Sequence, residues 1–301
     1  MVDPAEAFLG RCFTGLRRFW PCAPRLHGRR RRRNNTAADR HVEHHPRTLA
    51  HTRNRGRRGL RAGSDGVINL AGAAIARRWT KRHKEAIASS RVQSTRALVQ
   101  AIGKAGEKPK WLINASAIGY YGPHGNETLS EETGAGSDFL SRVCVAWERE
   151  AGKAEDYGLR VVRLRTGIVL GKGGGALAKM ALPFKLFLGG PLGDGNQPMS
   201  WIHLEDEIGL ILFLLEHPEA RGAINATAPN PATMSEFCKT LGDVLNRPSW
   251  APVPAFALRL VLGEMADMLL NGQRVLPAAA QKLGYVFKYP TLPEALRSLH
   301  L

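Results

Sequence analysis

The chain is 301 residues long, 44% apolar and 23% charged, with a formal net charge of +17 at pH 7. That length suits one large α/β domain or a domain with a smaller lobe, and the longest apolar run, residues 208–215, is far short of the ~20 residues a membrane-spanning helix needs. Residues 1–64 hold sixteen Arg, no Lys and four acids, so the other 237 residues carry a surplus of only five positive charges, which excludes a polyanion-binding body by composition.

The head, residues 1–64, differs abruptly from the rest of the chain. It has seven Val and Leu residues, no Ile, five His and no Ser before Ser64. Three readings stay open. As a targeting segment it is Arg-rich and acid-poor but lacks the usual serines and any secretory apolar core. As a basic tail, Arg29 to Arg33 would meet phosphate without sequence preference. As an out-of-frame translation, its composition needs no further cause, and another frame upstream of Asp65 should encode a glycine-rich strand-turn-helix. Cys12, Cys22, Cys144 and Cys238 are scattered, with no CxxC pair and no His at ligand spacing. They predict no metal site and no disulfide framework, hence a reducing compartment. The expected location is cytoplasmic, or organellar if the head is a transit peptide.

From Asp65 onward β and α units alternate. Residues 66–71, Gly-Val-Ile-Asn-Leu-Ala, read as a buried strand running into a turn at Gly72, and no plausible partner strand lies upstream. Residues 81–103 read as a helix with Ile87, Arg91, Ser94 and Leu98 along one side, and 111–117 as a second apolar strand. Residues 122–137, with Pro123, Gly125, Asn126, Gly134 and Gly136, predict an exposed loop. A helix follows Asp138, with Phe139, Val143, Trp147 and Ala151 at intervals of four marking a buried stripe. Residues 159–170 read as a third strand. Later come a helix near 205–217, a strand at 223–227, and two capping boxes, Thr233 with Glu236 and Thr291 with Glu294, opening further helices.

Strands separated by helices imply crossover connections and a parallel sheet covered on both faces, so the fold class is α/β and doubly wound. The expected organisation is an abnormal head over 1–64, a nucleotide-binding unit over 65–171, and a substrate-side lobe over 172–301 that completes the sheet and ends in helices. Ligands of such sheets lie outside the carboxyl ends of the strands. Gly119-Tyr120-Tyr121-Gly122 follows the second strand and so falls where chemistry is expected. Gly171-Lys-Gly-Gly-Gly lacks the spacing of a phosphate-binding loop and reads as a turn. His203 with Glu205 and Asp206 reads as a hydrogen-bonded turn.

Several ordered motifs carry a family resemblance: Asn69-Leu-Ala-Gly72, Arg78-Trp-Thr80, Ser90-Arg91, Ala115-Ser-Ala-Ile-Gly-Tyr-Tyr-Gly122, Trp147-Glu148, Arg165-Thr-Gly-Ile-Val-Leu170, Met199-Ser-Trp-Ile-His203, Asn225-Ala-Thr-Ala-Pro229 and Gln273-Arg-Val-Leu-Pro277. Over residues 65–301 the chain resembles the atypical short-chain dehydrogenase/reductases labelled nucleoside-diphosphate-sugar epimerase-like, or cell division inhibitor, proteins. The resemblance implies a Rossmann-like domain binding NADP or NAD, with cofactor contacts at Leu70, Ala71, Gly72, Arg91 and Val169. Glu85 stands one residue out of the spacing at which a family glutamate contributes. The resemblance also implies a small hydroxyl or keto substrate handled by an oxidoreductase or epimerase, with Trp201 and His203 on the substrate side. It implies neither a nucleic-acid nor a membrane partner.

Two departures stand out. The family's opening glycine-rich loop has no counterpart in residues 1–64. The superfamily's Tyr-x-x-x-Lys pair, in which the Lys lowers the phenol's pKa for proton exchange, is missing as well: residues 138–147 contain no Tyr and no Lys, and the position four before Tyr121 is Ala117. Tyr121 or Tyr120, assisted by Ser116, His124 or His203, are the expected substitutes. A catalytically silent dinucleotide-binding regulator is the alternative.

Overall fold

The computed structural model describes residues 64–301. The readings of the head, residues 1–64, fall outside the described residues except for Ser64.

In chain order the elements are β1 (Gly66–Asn69), α1 (Lys81–Gly103), β2 (Trp111–Ala117), β3 (Thr128–Leu129), α2 (Phe139–Gly152), β4 (Arg160–Thr166), β5 (Ile168–Leu170) and α3 (Gly175–Lys185). After these come β6 (Pro198–Met199), β7 (Trp201–His203), α4 (Leu204–Glu216), β8 (Gly222–Ala226), β9 (Ala232–Thr233), α5 (Met234–Leu245), α6 (Ala255–Leu262), α7 (Met265–Leu270), β10 (Arg274–Val275), α8 (Ala278–Lys282) and α9 (Leu292–Ser298).

The main sheet runs β1-β2-β4-β8, all parallel. Alternation along its strands feeds two cores. Val67, Leu112 and Val161 pack with Leu98, Val99 and Ile102 of α1 and Ala151 of α2 on one face. Ile113, Val162, Leu164 and Ile224 pack with Leu210, Ile211 and Leu214 of α4 on the other. Two-faced burial favours apolar residues on both sides of a parallel strand, as Leu112 and Ile113 of β2 and Val161 and Val162 of β4 show. β1 is the sheet's edge strand among the described residues, and its Ile68 is only half-buried.

A third core, built by Leu177, Ala181 and Phe184 of α3, Phe237 and Leu241 of α5, and Ala295 and Leu296 of α9, supports the C-terminal part. Among the described residues no helix is long and apolar enough to cross a membrane.

Several expected elements differ in detail. The single strand expected over 159–170 is two. Gly167 lies so close to the next segment that a side chain there would meet the Ser200 carbonyl oxygen at 2.7 Å. The chain leaves the main sheet at this glycine, and β5 pairs instead with β7. The exposed loop over 122–137 contains β3, which pairs in parallel with β10, because Leu129 is buried against Tyr121 and Val275. Leu70 and Ala71 lie beyond β1, in the turn.

Phe139 is the one member of the α2 stripe outside the core. It sits half-buried at the first turn, edge-on to Trp79 with ring centroids 5.3 Å apart. The Thr233 capping box forms in full. Thr291 instead turns its hydroxyl to the Glu294 carboxylate at 2.7 Å and caps no backbone N–H, so that box is not made.

Candidate functional site

The carboxyl ends of β1, β2 and β4 bring three groups of side chains together. Beneath the turn after β1, the Asn69 amide donates to Asn114 Oδ1 (2.6 Å) and Thr95 Oγ1 (2.9 Å). The Trp147 indole donates to the same threonine at 2.9 Å. Buried amides and hydroxyls keep a fixed arrangement only when partnered, so this cluster ties β1, β2, α1 and α2 under residues 70–73.

The turn itself is pinned by the Ala73 amide, which donates to Ser90 Oγ at 2.9 Å. Arg91, one helical position on, reaches back below it. Its Nη1 donates to the carbonyls of Ala73 (3.1 Å) and Ile87 (3.2 Å), and the guanidinium lies 5.2 Å from the Trp147 ring. Burial lowers its pKa from the ordinary arginine value. Among the described residues Nε and Nη2 meet no acceptor. Gly72 is exposed above them, and a Cβ built there would stand 2.9 Å from the guanidinium carbon. The turn is thus open and glycine-shaped, with a cation beneath it.

At the ends of β2 and β4 lies a buried polar network that sequence reasoning missed in part. Arg165 and Glu148 form a two-point ion pair, Nε to Oε1 at 2.8 Å and Nη2 to Oε2 at 2.9 Å, with both residues buried. Ser116 Oγ donates to Glu148 Oε1 at 2.7 Å. Arg165 Nη1 donates to the Tyr121 hydroxyl at 3.0 Å, and that hydroxyl donates to Asn225 Oδ1 at 2.7 Å. Burial pulls the guanidinium's pKa down, but the Glu148 hydrogen bonds and charge outweigh it and hold the group above its ordinary value. Burial pushes the Tyr121 phenol up, against the pull of Arg165 and Asn225.

Of the two tyrosines, Tyr121 is fully buried and its hydroxyl is engaged on both sides. Tyr120 is half-buried; its ring stacks on the Arg165 guanidinium at 3.4 Å, and its hydroxyl has no hydrogen-bond partner among the described residues. Cys144 and Glu148 occupy successive turns of α2 facing Ser116, the i and i+4 spacing of a Tyr-x-x-x-Lys pair. The Cys144 thiol is pushed up to about 12, by burial first and then by Glu148.

Trp201 and His203 are both buried. His203 caps α4, its Nδ1 accepting from the Glu205 amide at 3.1 Å, and its ring lies 4.0 Å from that of Tyr289. Burial lowers its pKa against the pull of Glu205 and Asp206. Asp206 accepts from the amides of Lys288 (2.7 Å) and Tyr289 (2.9 Å) and so anchors the C-terminal segment. Neither Trp201 nor His203 presents a surface to a substrate in this arrangement. Val169 is half-buried in β5, opposite Ile202. His124 is paired with Glu127 at 3.1 Å, away from the buried network. Among the described residues no group of three or more His, Cys, Asp or Glu could hold a metal ion.

The signals for the missed residues were present: Arg165, one of two Arg within the strand run 161–170, and Glu148 beside the buried Trp147. Both charges require partners when buried.

A doubly wound sheet whose strand ends carry an open glycine turn over an arginine defines a Rossmann-like nucleotide-binding fold. The chain belongs to the NAD dependent epimerase/dehydratase family, whose model matches residues 23–226. A second model, a domain of unknown function (DUF1731), matches residues 253–299.

Among its relatives, the epimerase family protein SDR39U1 homolog, chloroplastic, of Arabidopsis thaliana is 47% identical over 239 residues, 79% of this chain and 69% of that protein. Epimerase family protein YfhF of Bacillus subtilis is 45% identical over 233 residues, 77% of each chain. The crystal structure of human epimerase family protein SDR39U1 (isoform 2) with NADPH superimposes with a TM-score of 0.75 at 37% identity, covering 80% of this chain and 83% of that one. A UDP-glucuronic acid 4-epimerase from Bacillus cereus shares the fold at 16% identity, with a TM-score of 0.64 over 79% of this chain and 74% of that one.

Proposed function

We propose that the protein binds NADP(H) or NAD(H) across the carboxyl ends of its strands and serves as an oxidoreductase or epimerase on a small hydroxyl- or keto-bearing substrate. The observation that carries the cofactor half is Arg91, held under an exposed Gly72 with Nε and Nη2 unbonded among the described residues. A guanidinium with free N–H groups suits a phosphate oxygen, and a glycine turn lets a ligand approach the backbone. Leu70, Ala71, Gly72 and Arg91 would line one side of the dinucleotide, with Val169 beyond them. That SDR39U1 was crystallised with NADPH supports the same assignment.

When bound, the nicotinamide supplies a hydride donor or acceptor. The chain's own part is to orient a substrate oxygen and exchange a proton with it. Tyr120 is assigned that exchange, since its phenol is the one at this opening whose hydroxyl is unengaged among the described residues. The Arg165–Glu148 pair holds the Tyr120 ring in place and acts as a positioning device.

A second reading has its own observation. The hydroxyls of Ser116 and Tyr121 are both committed inside the network, and the Cys144 thiol stays protonated at neutral pH. A protein with this network would bind the dinucleotide without turnover and use occupancy to signal to a partner. The test is a panel of ketones, aldehydes and secondary alcohols assayed by nicotinamide absorbance. Turnover that is abolished in Tyr120→Phe and reduced less than tenfold in Tyr121→Phe supports the first reading. NADPH binding without turnover of any member supports the second.

A further inference from the structure

Helix α3 ends in a turn of unusual composition. The Phe187 amide donates to the Phe184 carbonyl and the Leu188 amide to the Pro183 carbonyl, both at 2.9 Å, which is the hydrogen-bond pair of a Schellman turn. The left-handed position of such a turn usually holds glycine, yet here it holds Phe187, with a φ of 61°. A bulky residue takes that conformation at a cost, which points to a use for its side chain. The core does not use it: Leu182, Leu186, Phe187 and Leu188 are each more than half exposed.

Trp250 continues the patch, because its indole donates to the Phe187 carbonyl at 3.2 Å and its ring is also mostly exposed. The base beneath is tight. A Cβ at Gly189 would meet the Phe184 ring at 2.2 Å, and one at Gly190 the Ala251 carbonyl oxygen at 2.2 Å. Aromatic side chains carry roughly 150–250 Å² of surface and leucines somewhat less, so these five residues leave on the order of 500 Å² of apolar area in water. A standard interface takes about 800 Å² from each partner, and about 56–65% of it, or about 450–520 Å², is apolar. The patch therefore supplies what one side of a stable dimer needs.

The charges around it select the partner. The last turn of α5 abuts the end of α3, since a Cβ at Gly242 would stand 3.6 Å from the Phe184 ring. Asp243 of that turn and Lys185, the last residue of α3, are both exposed, and among the described residues neither has an ion-pair partner. A rim with an unpaired charge of each sign is self-complementary: a two-fold axis brings the cation of each copy to the anion of the other. The Arg-rich head of residues 1–64 finds no acidic surplus here to meet, because Arg247 is exposed as well, its guanidinium 4.6 Å from the Phe187 ring. The exposed face of α6, Phe256 with Leu260, lacks such a rim, since Arg259 is already paired with Asp267 at 3.2 Å.

We propose that two copies of this chain associate through the patch about a two-fold axis, the Leu186, Phe187 and Leu188 tip of each lying against Trp250 of the other, with Lys185 of each facing Asp243 of the other. This goes beyond the proposed function and holds with or without a dinucleotide.

The test is sedimentation equilibrium of the full chain at about 1–100 μM, with melting curves to show that each variant is folded. The expected species is a dimer with a Kd of about 10 μM or tighter. Phe187→Glu and Trp250→Glu should each weaken it at least tenfold. Phe187→Gly should weaken it too, while leaving the melting point of the dilute chain no lower, because glycine suits the turn. Asp243→Lys and Lys185→Glu should each weaken association several-fold alone. Mixed in equal amounts, these two variants should pair more tightly than either pairs with itself, since both charge contacts are then restored.

A chain that stays monomeric at about 100 μM, whether its own head covers the patch or nothing does, would overturn the proposal. So would a dimer unmoved by Phe187→Glu and Trp250→Glu, or one broken by Phe256→Glu and spared by Phe187→Glu. Absence of preferred pairing in the mixture would overturn the two-fold arrangement.

Discussion

Replacing Glu207 by glutamine should stabilise the protein above neutral pH and leave it nearly unchanged in acid. Glu207, in the first turn of α4, is buried; Oε1 accepts from Thr166 Oγ1 at 2.9 Å, and Oε2 has no hydrogen-bond partner among the described residues. Burial pushes its pKa from 4.5 up to about 7, opposed by the Thr166 hydrogen bond. A carboxyl whose folded pKa is raised binds its proton more tightly in the folded state. Below about pH 4.5 it is protonated in both states and costs nothing. Stability then falls as pH rises from 4.5 through 7, and above that the full penalty applies. The gap between 4.5 and about 7 corresponds to roughly 3 kcal/mol at 1.36 kcal/mol per pKa unit. The glutamine amide still serves Thr166, but its N–H₂ inherits the partnerless position, at a cost of about 1 kcal/mol. Urea denaturation followed by circular dichroism should therefore show Glu207→Gln about 2–3 kcal/mol more stable than wild type at pH 9 and within about 1 kcal/mol of it at pH 5. A melting-point gain of roughly 4–12 °C at the higher pH should accompany this. An equal difference at both pH values would refute the reasoning, because it would place the effect in packing and not in ionisation.

The buried network and the turn above it give further outcomes. Glu148→Ala leaves Arg165 buried without its counter-charge and should cost about 3–5 kcal/mol in urea denaturation, whereas the double change Glu148→Leu with Arg165→Met should recover most of that loss. Asn69→Ala removes two buried hydrogen bonds beneath the 70–73 turn and should cost about 1–3 kcal/mol, also weakening any ligand of that turn, as a paired denaturation and binding measurement would show. Gly72→Ala drives a methyl toward the Arg91 guanidinium and should impair NADPH binding more than it lowers the melting point.

Much of the sheet was legible because its signals are local. Apolar runs gave β1, β2 and β8 to within a residue or two, and the helices expected over 81–103 and after Asp138 form there, the structure capping them with Thr80 and Asp138. The break at Gly167 was not legible, because Ile168, Val169 and Leu170 read as a continuation of the strand that Val161, Val162 and Leu164 begin; the cause lies in the approach of Ser200, 33 positions away. Phe139 fitted the α2 stripe by periodicity, yet its ring lies against Trp79 and Lys84 at the first turn and not in the core. At the site, the placement of Gly119–Gly122 beside a strand end followed from chain order. Which tyrosine hydroxyl is engaged did not, since Asn225 and Arg165 reach Tyr121 from strands distant in sequence. The glycine-rich loop that the family places first concerns residues outside those described.

The most direct test of the central claim is a fluorescence titration of NADPH into the full chain and into Arg91→Ala, with melting curves to show that both are folded. The account predicts saturable binding by the wild type, weakened at least tenfold by the substitution and partly restored in Arg91→Lys. No binding by the folded wild type, or equal affinity in Arg91→Ala, would contradict it.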